Sequence, residues 1–314
     1  MKIVVTTFPV SNEHLLKLKN DFPDIDIVFP ETKDQLLREI SDADGVISMA
    51  LKKEQIAAAK RLKWIQSLTA GVDAYPLEYI EHRNITLTTG RGIHKIHMTE
   101  YAISMMIIAA RRIDKMILNQ QKKRWDNHIP QNEISGKKLG IIGLGSIGQG
   151  IAETAKMLGM EVYGIKNTPT EIEGVKKVFD MSGMDFIAEN CDYIITLLPH
   201  TKETDKVIDN KFFNLMKEDA VFINMGRGKT VNQEHLIQAL NDKKFGLCIS
   251  DVFETEPLPE NDPLWEMNNV IITPHICGPH IEYMAKAYRI VKINMDNFKN
   301  GKPLDNIYSF KKGY

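Results

Sequence analysis

Short apolar runs alternate with amphipathic stretches along most of the chain. In the N-terminal third the runs Lys2–Thr6, Ile25–Phe29, Gly45–Ser48, Trp64–Leu68 and Ile85–Thr88 read as strands. Between them Ser11–Asn20, Lys33–Ile40 and Lys53–Ala59 read as helices, the first with Ser11 as its N-cap. This β–α alternation predicts a parallel sheet covered on both faces. From about Thr99 to Asn119 one long helix is expected, with Tyr101, Ile103, Met105, Met106, Ile107, Ile108, Ala109 and Ala110 as its apolar positions. It is too interrupted for a membrane span and reads as a buried connector between two domains. A polar segment, Gln120–Gly136, follows and carries Trp125. A second alternating series begins at Lys138, with strands at Leu139–Ile142, Glu161–Ile165, Tyr193–Leu197, Val221–Asn224, Leu247–Val252 and Val270–Thr273. A final helix, Ile281–Phe298, has the length to return to the first domain. That domain is therefore expected to be discontinuous, 1–98 plus 280–314, around a second domain at 99–279. The fold class is α/β, with two doubly wound parallel sheets.

Composition narrows the partners rather than the fold. The 314 residues suffice for two domains with real cores. With 43% hydrophobic and 26% charged residues, the chain has the make-up of an ordinary soluble protein. A net charge of −1, with lysines spread along the chain, gives no reason to expect nucleic acid or an anionic membrane. No apolar stretch reaches the roughly 18 residues of a membrane helix. Met1–Thr6 enters a strand directly, so no signal peptide is expected. The three cysteines, Cys191, Cys248 and Cys277, form no C-x-x-C. Their odd number argues against a disulfide framework and for a reducing cytoplasm. His94 and His97 have H-x-x-H spacing, but no carboxylate follows at ligand spacing, and no metal is expected.

Candidate chemistry starts at Gly143-Leu144-Gly145-Ser146-Ile147-Gly148, a G-x-G-x-x-G between a strand and a helix with face positions at Ile147, Ile151, Thr154 or Ala155, and Leu158. In that setting Gly143 makes the tight turn, Gly145 lets backbone approach a pyrophosphate, and Gly148 lets the helix pack on the strand. The helix N-terminus then offers N–H groups to phosphates. The plan is Rossmann-like, and ligands of such sheets bind at the C-terminal strand ends. Four polar landmarks lie there. Arg227 stands between two glycines after an apolar strand; its fork suits a carboxylate, against the blander reading of a surface arginine in a turn. Asp251 and Glu256 follow the next strand, and His275, between Pro274 and Gly278, follows the last. A histidine paired with a carboxylate has a raised pKa and donates a proton near neutral pH. Reduction of a ketone by a nicotinamide needs such a donor, and a cation for an acid group.

These segments occur in a recognisable order: GLGSIG (Gly143–Gly148), LLPHTKET (Leu197–Thr204), INMGRG (Ile223–Gly228), DVFETEP (Asp251–Pro257) and TPHICG (Thr273–Gly278), with Ser67–Asp73 ahead of them. Together they resemble the D-isomer-specific 2-hydroxyacid dehydrogenases, over nearly the whole chain. The resemblance implies a flavodoxin-like substrate domain at 1–98 plus 280–314. It makes Arg227 the ligand of the substrate carboxylate and carbonyl, His275 the acid–base group, and Glu256 its orienting partner. It gives Asp251 the nicotinamide carboxamide, and the N–H groups around Ala70 and Gly71 the far side of the substrate carboxylate. It also sets Gly143, Gly145, Ser146, Ile147, Gly148, Leu198, Pro199, Thr204, Met225, Gly226 and Gly278 against the cofactor. Leu51, with Met49 and Ala50, and the region His280–Met284 would line the substrate pocket. Gln120–Gly136 resembles the arm by which relatives dimerise, so a homodimer is expected; local packing of Trp125 is the plainer alternative.

The departures carry information. Relatives using NAD usually bear an acidic residue at the end of the second strand, where this chain has Lys166-Asn167-Thr168. A lysine with hydroxyl and amide neighbours suits a 2′-phosphate, so NADP(H) is favoured and NAD(H) is the alternative. Glu100-Tyr101 replaces the more usual Glu-His. Cys277, where a small residue is common, reads as an apolar filler rather than a redox group. The expected activity is reduction of a short 2-keto acid, such as glyoxylate, hydroxypyruvate, pyruvate or a branched keto acid. A phosphoglycerate dehydrogenase role is weaker, since the chain ends at Tyr314 without a further regulatory domain. A nucleotide-sensing corepressor is the alternative of a different class, and the complete Arg227, Glu256, His275 set argues against a purely binding role. Formate oxidation is disfavoured because it needs no proton donor.

Overall fold

The computed structural model of the chain describes residues 1–6, 12–311 and 313; Ser11, expected as an N-cap, lies outside them. Two compact units are present, one made of Met1–His94 with Pro279–Tyr314 and the other of Lys95–Gly278. The first runs β1 (Lys2–Val5), α1 (Asn12–Asp21), β2 (Asp26–Val28), α2 (Lys33–Glu39), β3 (Gly45–Ser48), α3 (Lys53–Ala58), β4 (Trp64–Ser67), α4 (Leu77–His82) and β5 (Thr86–Thr88). The second holds α5 (Lys95–Arg111), α6 (Ile113–Gln121), β6 (Lys138–Ile142), α7 (Ser146–Met157), β7 (Glu161–Ile165), β8 (Lys177–Phe179), α8 (Met184–Asn190) and β9 (Tyr193–Thr196). It continues with α9 (Asn210–Leu215), β10 (Val221–Asn224), α10 (Gln233–Asn241), β11 (Leu247–Ser250) and β12 (Val270–Ile272). The chain then rejoins the first unit with α11 (Tyr283–Lys299).

The sheet of the first unit has the order β2-β1-β3-β4-β5, all parallel. This is the flavodoxin-like order. Successive residues point to opposite faces, and both faces are covered, so both parities must be apolar. Val4, Val46, Ile65 and Leu87 pack on one side, while Ile3, Val5, Ile47 and Trp64 pack on the other with Val291 and Met295 of α11. Buried Asn294 ties α11 to the sheet, its Nδ2 donating to Gln66 Oε1 at 2.8 Å.

The second sheet, also parallel, has the order β12-β11-β10-β9-β6-β7-β8. The same alternation divides its core: Leu139, Ile141, Ile195, Ile223 and Ile249 on one face, Ile142, Ile194, Phe222 and Cys248 on the other. Chain direction across the sheet reverses between β6 and β9, and the crevice at the C-terminal ends of these strands is the place for a ligand.

Several expectations need correction. The long helix at 99–119 is two helices, broken at Arg112, whose backbone is left-handed (φ 50°, ψ 39°) and whose guanidinium pairs with Asp114 at 2.9 Å. Both helices belong to the second unit; α5 buries a stripe from His97 to Ala110, and α6 buries none of its residues. Leu158, expected on the buried face of α7, is 40% exposed. Strand β8 and helix α4 had no counterpart in the hydrophobic pattern; β8 is a three-residue edge strand with no fully buried position.

Candidate active site

The three motif glycines meet different demands. Gly143, directly after β6, has φ 111°. Its N–H and that of Leu144 both donate to Ile165 O, at 3.0 and 2.9 Å. A Cβ on Gly148 would stand 2.5 Å from Gly143 O, so only glycine lets α7 rest on this turn. Gly145 is under no such constraint: φ is −77° and no atom lies within 4 Å of where its Cβ would be. The open space lies at the N-terminus of the twelve-residue α7, which has no side-chain cap. The N–H groups of Ser146, Ile147 and Gly148 there have no carbonyl within the helix to receive them. This cradle, which a Cβ would fill, fits the pyrophosphate of a dinucleotide.

At the end of β7, Lys166 N–H donates to Phe179 O and its Nζ to Thr170 Oγ1 at 3.1 Å. Asn167 and Thr168 are exposed. The carboxylate of this strand, Glu161, sits at its other end, held by Lys176 at 2.7 Å and by Tyr163. At the next strand end the Leu198 backbone lies so near Gly226 that a Cβ there would be 2.7 Å from Leu198 O. The side chains of Leu198 and Met225 are core residues, 6% and 3% exposed, so either would touch a cofactor by backbone only. Thr204 Oγ1 donates to Pro199 O at 2.6 Å and accepts Thr201 N–H at 2.7 Å, which closes the loop after β9 on itself.

Gly228 locks the loops after β10 and β11 together, since a Cβ there would stand 1.9 Å from the Phe253 carbonyl. Half-buried Arg227 is thereby fixed in extended backbone, its Nη1 donating to Gly226 O at 2.9 Å. Glu256 accepts Phe253 N–H with Oε1 at 2.9 Å, and its Oε2 lies 2.6 Å from His275 Nδ1. A carboxylate only accepts, so Nδ1 carries the proton and Nε2 is the free end of the ring. The imidazole side chain is 49% exposed and its backbone is left-handed, with φ 53°. Non-glycine residues adopt that region sparingly and persist there where surroundings enforce it.

Asp251 supplies much of that enforcement. It has no accessible surface. Its carboxylate accepts from Thr273 Oγ1 at 2.6 Å, Ile276 N at 3.0 Å and Cys277 N at 3.1 Å, and its carbonyl accepts His275 N–H at 2.8 Å. The group expected to hold a carboxamide is engaged in bracing the segment that carries His275. Two residues of α5 grip the same segment: Tyr101 OH lies 2.6 Å from Thr273 Oγ1, and His97 Nε2 lies 2.8 Å from Gly278 O. Sequence reasoning missed both roles. His97 was visible only as half of an H-x-x-H, and Tyr101 only as an apolar helix position and a departure from the usual residue. Cys277 is 5% exposed, and burial raises its thiol pKa far above the ordinary 9.0, in keeping with a filler.

In the first unit, Ala70 and Gly71 are half-buried in the loop after β4, which Thr69 closes by donating from Oγ1 to Gly71 O at 2.6 Å. The Leu51 side chain is 2% exposed and packed with Ile56, Val72 and Tyr75 in the core, so this residue would meet a substrate by its backbone only. Its neighbours Met49 and Ala50 are half-buried and exposed. Trp125 is 93% exposed, which removes the reading of local packing.

Residues 103–277 match the family described as D-isomer specific 2-hydroxyacid dehydrogenase, NAD binding domain. A D-3-phosphoglycerate dehydrogenase of Methanocaldococcus jannaschii is 30% identical over 98% of this chain, which spans 59% of that relative's length. A glyoxylate reductase of Thermofilum pendens is 30% identical over 85% of this chain and 81% of its own. An NADPH-dependent glyoxylate/hydroxypyruvate reductase of Sinorhizobium meliloti, solved with NADP and sulfate, superimposes with a TM-score of 0.88, at 25% identity over 100% of this chain and 99% of that one. The matched region carries the glycine turn, the Arg227 loop and the Glu256–His275 pair, and the chain belongs to the D-isomer specific 2-hydroxyacid dehydrogenases.

Proposed function

We propose that this chain interconverts a short 2-keto acid and the D-2-hydroxy acid, chiefly by reduction, with NADP(H) favoured over NAD(H). The observation that carries this reading is the 2.6 Å contact between His275 Nδ1 and Glu256 Oε2, which leaves Nε2 free to face a ligand. A bound reduced nicotinamide supplies a hydride equivalent to C2 of the keto acid. Arg227 binds the carboxylate through its guanidinium fork and polarises the C2 carbonyl. His275, protonated on both nitrogens, gives its Nε2 proton to the C2 oxygen as charge develops there. Its Nδ1–H stays on Glu256, which fixes the ring and stabilises the imidazolium before transfer. Asp251, Tyr101 and His97 hold the loop.

Lys166, with no carboxylate between Ile165 and Thr170, supports NADP(H), as does the NADP in the Sinorhizobium reductase. The Methanocaldococcus relative favours a second reading, a 2-keto acid bearing a phosphate. The test is a panel of glyoxylate, hydroxypyruvate, pyruvate and 3-phosphohydroxypyruvate, each with NADPH and NADH. Fastest turnover is expected for glyoxylate or hydroxypyruvate with NADPH. Turnover of none of the four would defeat the reading and favour a binding protein.

We further propose a homodimer in the cytoplasm. Trp125 and, on α6, Met116, Ile117 and Leu118 are 93%, 41%, 52% and 50% exposed, an apolar surface of the kind that a second copy covers. Sedimentation should give a dimer for the wild type and a monomer for Trp125→Glu; a monomeric wild type counts against it. Among the described residues no helix is long and apolar enough to cross a membrane.

A further inference from the structure

We propose that Tyr101 is a positioning residue for His275, acting through Thr273 and Asp251, while His97 holds the other end of the same segment. This deepens the reading of His275 as the acid–base group and rests on it. Tyr101 and His97 lie four residues apart on α5, so they share one helical face. That face meets the two ends of 273–278: Tyr101 at Thr273, 2.6 Å away, and His97 at Gly278 O, 2.8 Å away. His275 lies between the two grips.

Proton directions along the chain of contacts are determined by the groups themselves. Buried Asp251, as a carboxylate, only accepts, so the single proton of Thr273 Oγ1 points to it over 2.6 Å. Thr273 then has only lone pairs for Tyr101, and the tyrosine must donate. Burial raises the Tyr101 hydroxyl above its ordinary value of 10.0, so it remains a donor at any working pH. The result is a one-way relay, Tyr101 O–H to Thr273 O–H to the Asp251 carboxylate. Each bond polarises the next. The carboxylate at its end receives Ile276 N–H and Cys277 N–H, and the Asp251 carbonyl receives His275 N–H at 2.8 Å. The left-handed backbone of His275 (φ 53°) is thus held from the carboxylate and carbonyl of one residue.

The test compares Tyr101→Phe, Thr273→Val, Thr273→Ser, the double variant Tyr101→Phe/Thr273→Val, and His275→Ala, in keto acid reduction with NADPH. Loss of the donor is expected to cut kcat about tenfold in Tyr101→Phe, inside the range that sub-ångström misplacement produces. KM for the keto acid, the NADPH Kd from fluorescence and Tm should stay near wild type, a split that mere packing loss would not give. Thr273→Ser, which keeps the hydroxyl, should recover most of the rate lost in Thr273→Val. The double variant should be no slower than Thr273→Val alone, because the relay is already cut. Wild-type kcat in Tyr101→Phe, or losses that multiply in the double variant, would overturn the proposal. His275→Ala separates the levels: an active His275→Ala defeats the acid–base reading itself, whereas an inactive one beside an unimpaired Tyr101→Phe defeats only the positioning role.

Discussion

Glu256 engages one carboxylate oxygen with a backbone N–H and the other with His275, so a turn of the imidazole breaks its bond to the loop after β11. His275→Gln keeps a polar group but no transferable proton. Its kcat is expected to fall by about 10²–10⁴ while NADPH binding, followed by fluorescence, persists; near-full turnover would remove His275 from the mechanism. Arg227→Lys keeps the charge and loses the fork. It should raise KM for the keto acid and lower kcat together, since part of the contact strengthens only in the transition state. A neutral amide analogue of the substrate should lose much less than the acid; equal losses would show that Arg227 does not read the carboxylate. Arg227 and His275 stand out in the sequence because glycines flank the first, Pro274 and Gly278 flank the second, and an apolar strand precedes each, leaving packing little use for a charge. For Leu51 and Asp251 the sequence leaves the surroundings open. Whether a leucine beyond β3 faces a ligand or a core, and whether an aspartate beyond β11 faces a ligand or its own loop, depends on contacts made by residues far along the chain.

At the level of elements, the glycines around α7 and β10 separate fold from binding. Gly228→Ala places a methyl 1.9 Å from the Phe253 carbonyl, and overpacking of that kind costs about 1–3 kcal/mol or more. Gly145→Ala meets nothing within 4 Å and keeps an allowed φ. Calorimetry should therefore show a lower Tm for Gly228→Ala and an unchanged one for Gly145→Ala. NADPH affinity should fall at least about tenfold in Gly145→Ala if a pyrophosphate packs there. An unchanged affinity would displace the pyrophosphate from that cradle. The inner strands of both sheets were legible because burial on two faces makes each a continuous apolar run bounded by polar residues. The break at Arg112 was not: no glycine or proline marks it, and only the left-handed backbone beside the Asp114 pair gives it away. Edge strand β8 carries too few buried positions to stand out from a loop.

The whole molecule keeps its three thiols inside, which ties stability to alkaline pH. Burial pushes Cys191 and Cys248 from the ordinary 9.0 up to about 12, and Tyr75 and Tyr193 from 10.0 to about 12. A pKa raised by folding means that the unfolded chain releases these protons first. The stabilisation is complete below pH 9 and is lost as pH rises toward 12, by up to about 1.4 kcal/mol per pH unit for each group. Urea unfolding between pH 8 and 11 should show that decline, and a flat profile would mean the groups are not held protonated. The architecture also orders the events of folding. The Lys95–Gly278 unit is inserted in the other, and the His97–Gly278 bond joins the start of the insertion to its last residue. Once that unit is folded, its two ends are already side by side. The pairing of Gln66 with Asn294, 228 residues apart in the chain, then closes only the short stretches outside the insertion, at a far lower loss of chain entropy. Pulse-labelled hydrogen exchange during refolding should find the amides of β6 and β9 protected before those of β4 and β5, so that the segment translated first is completed last.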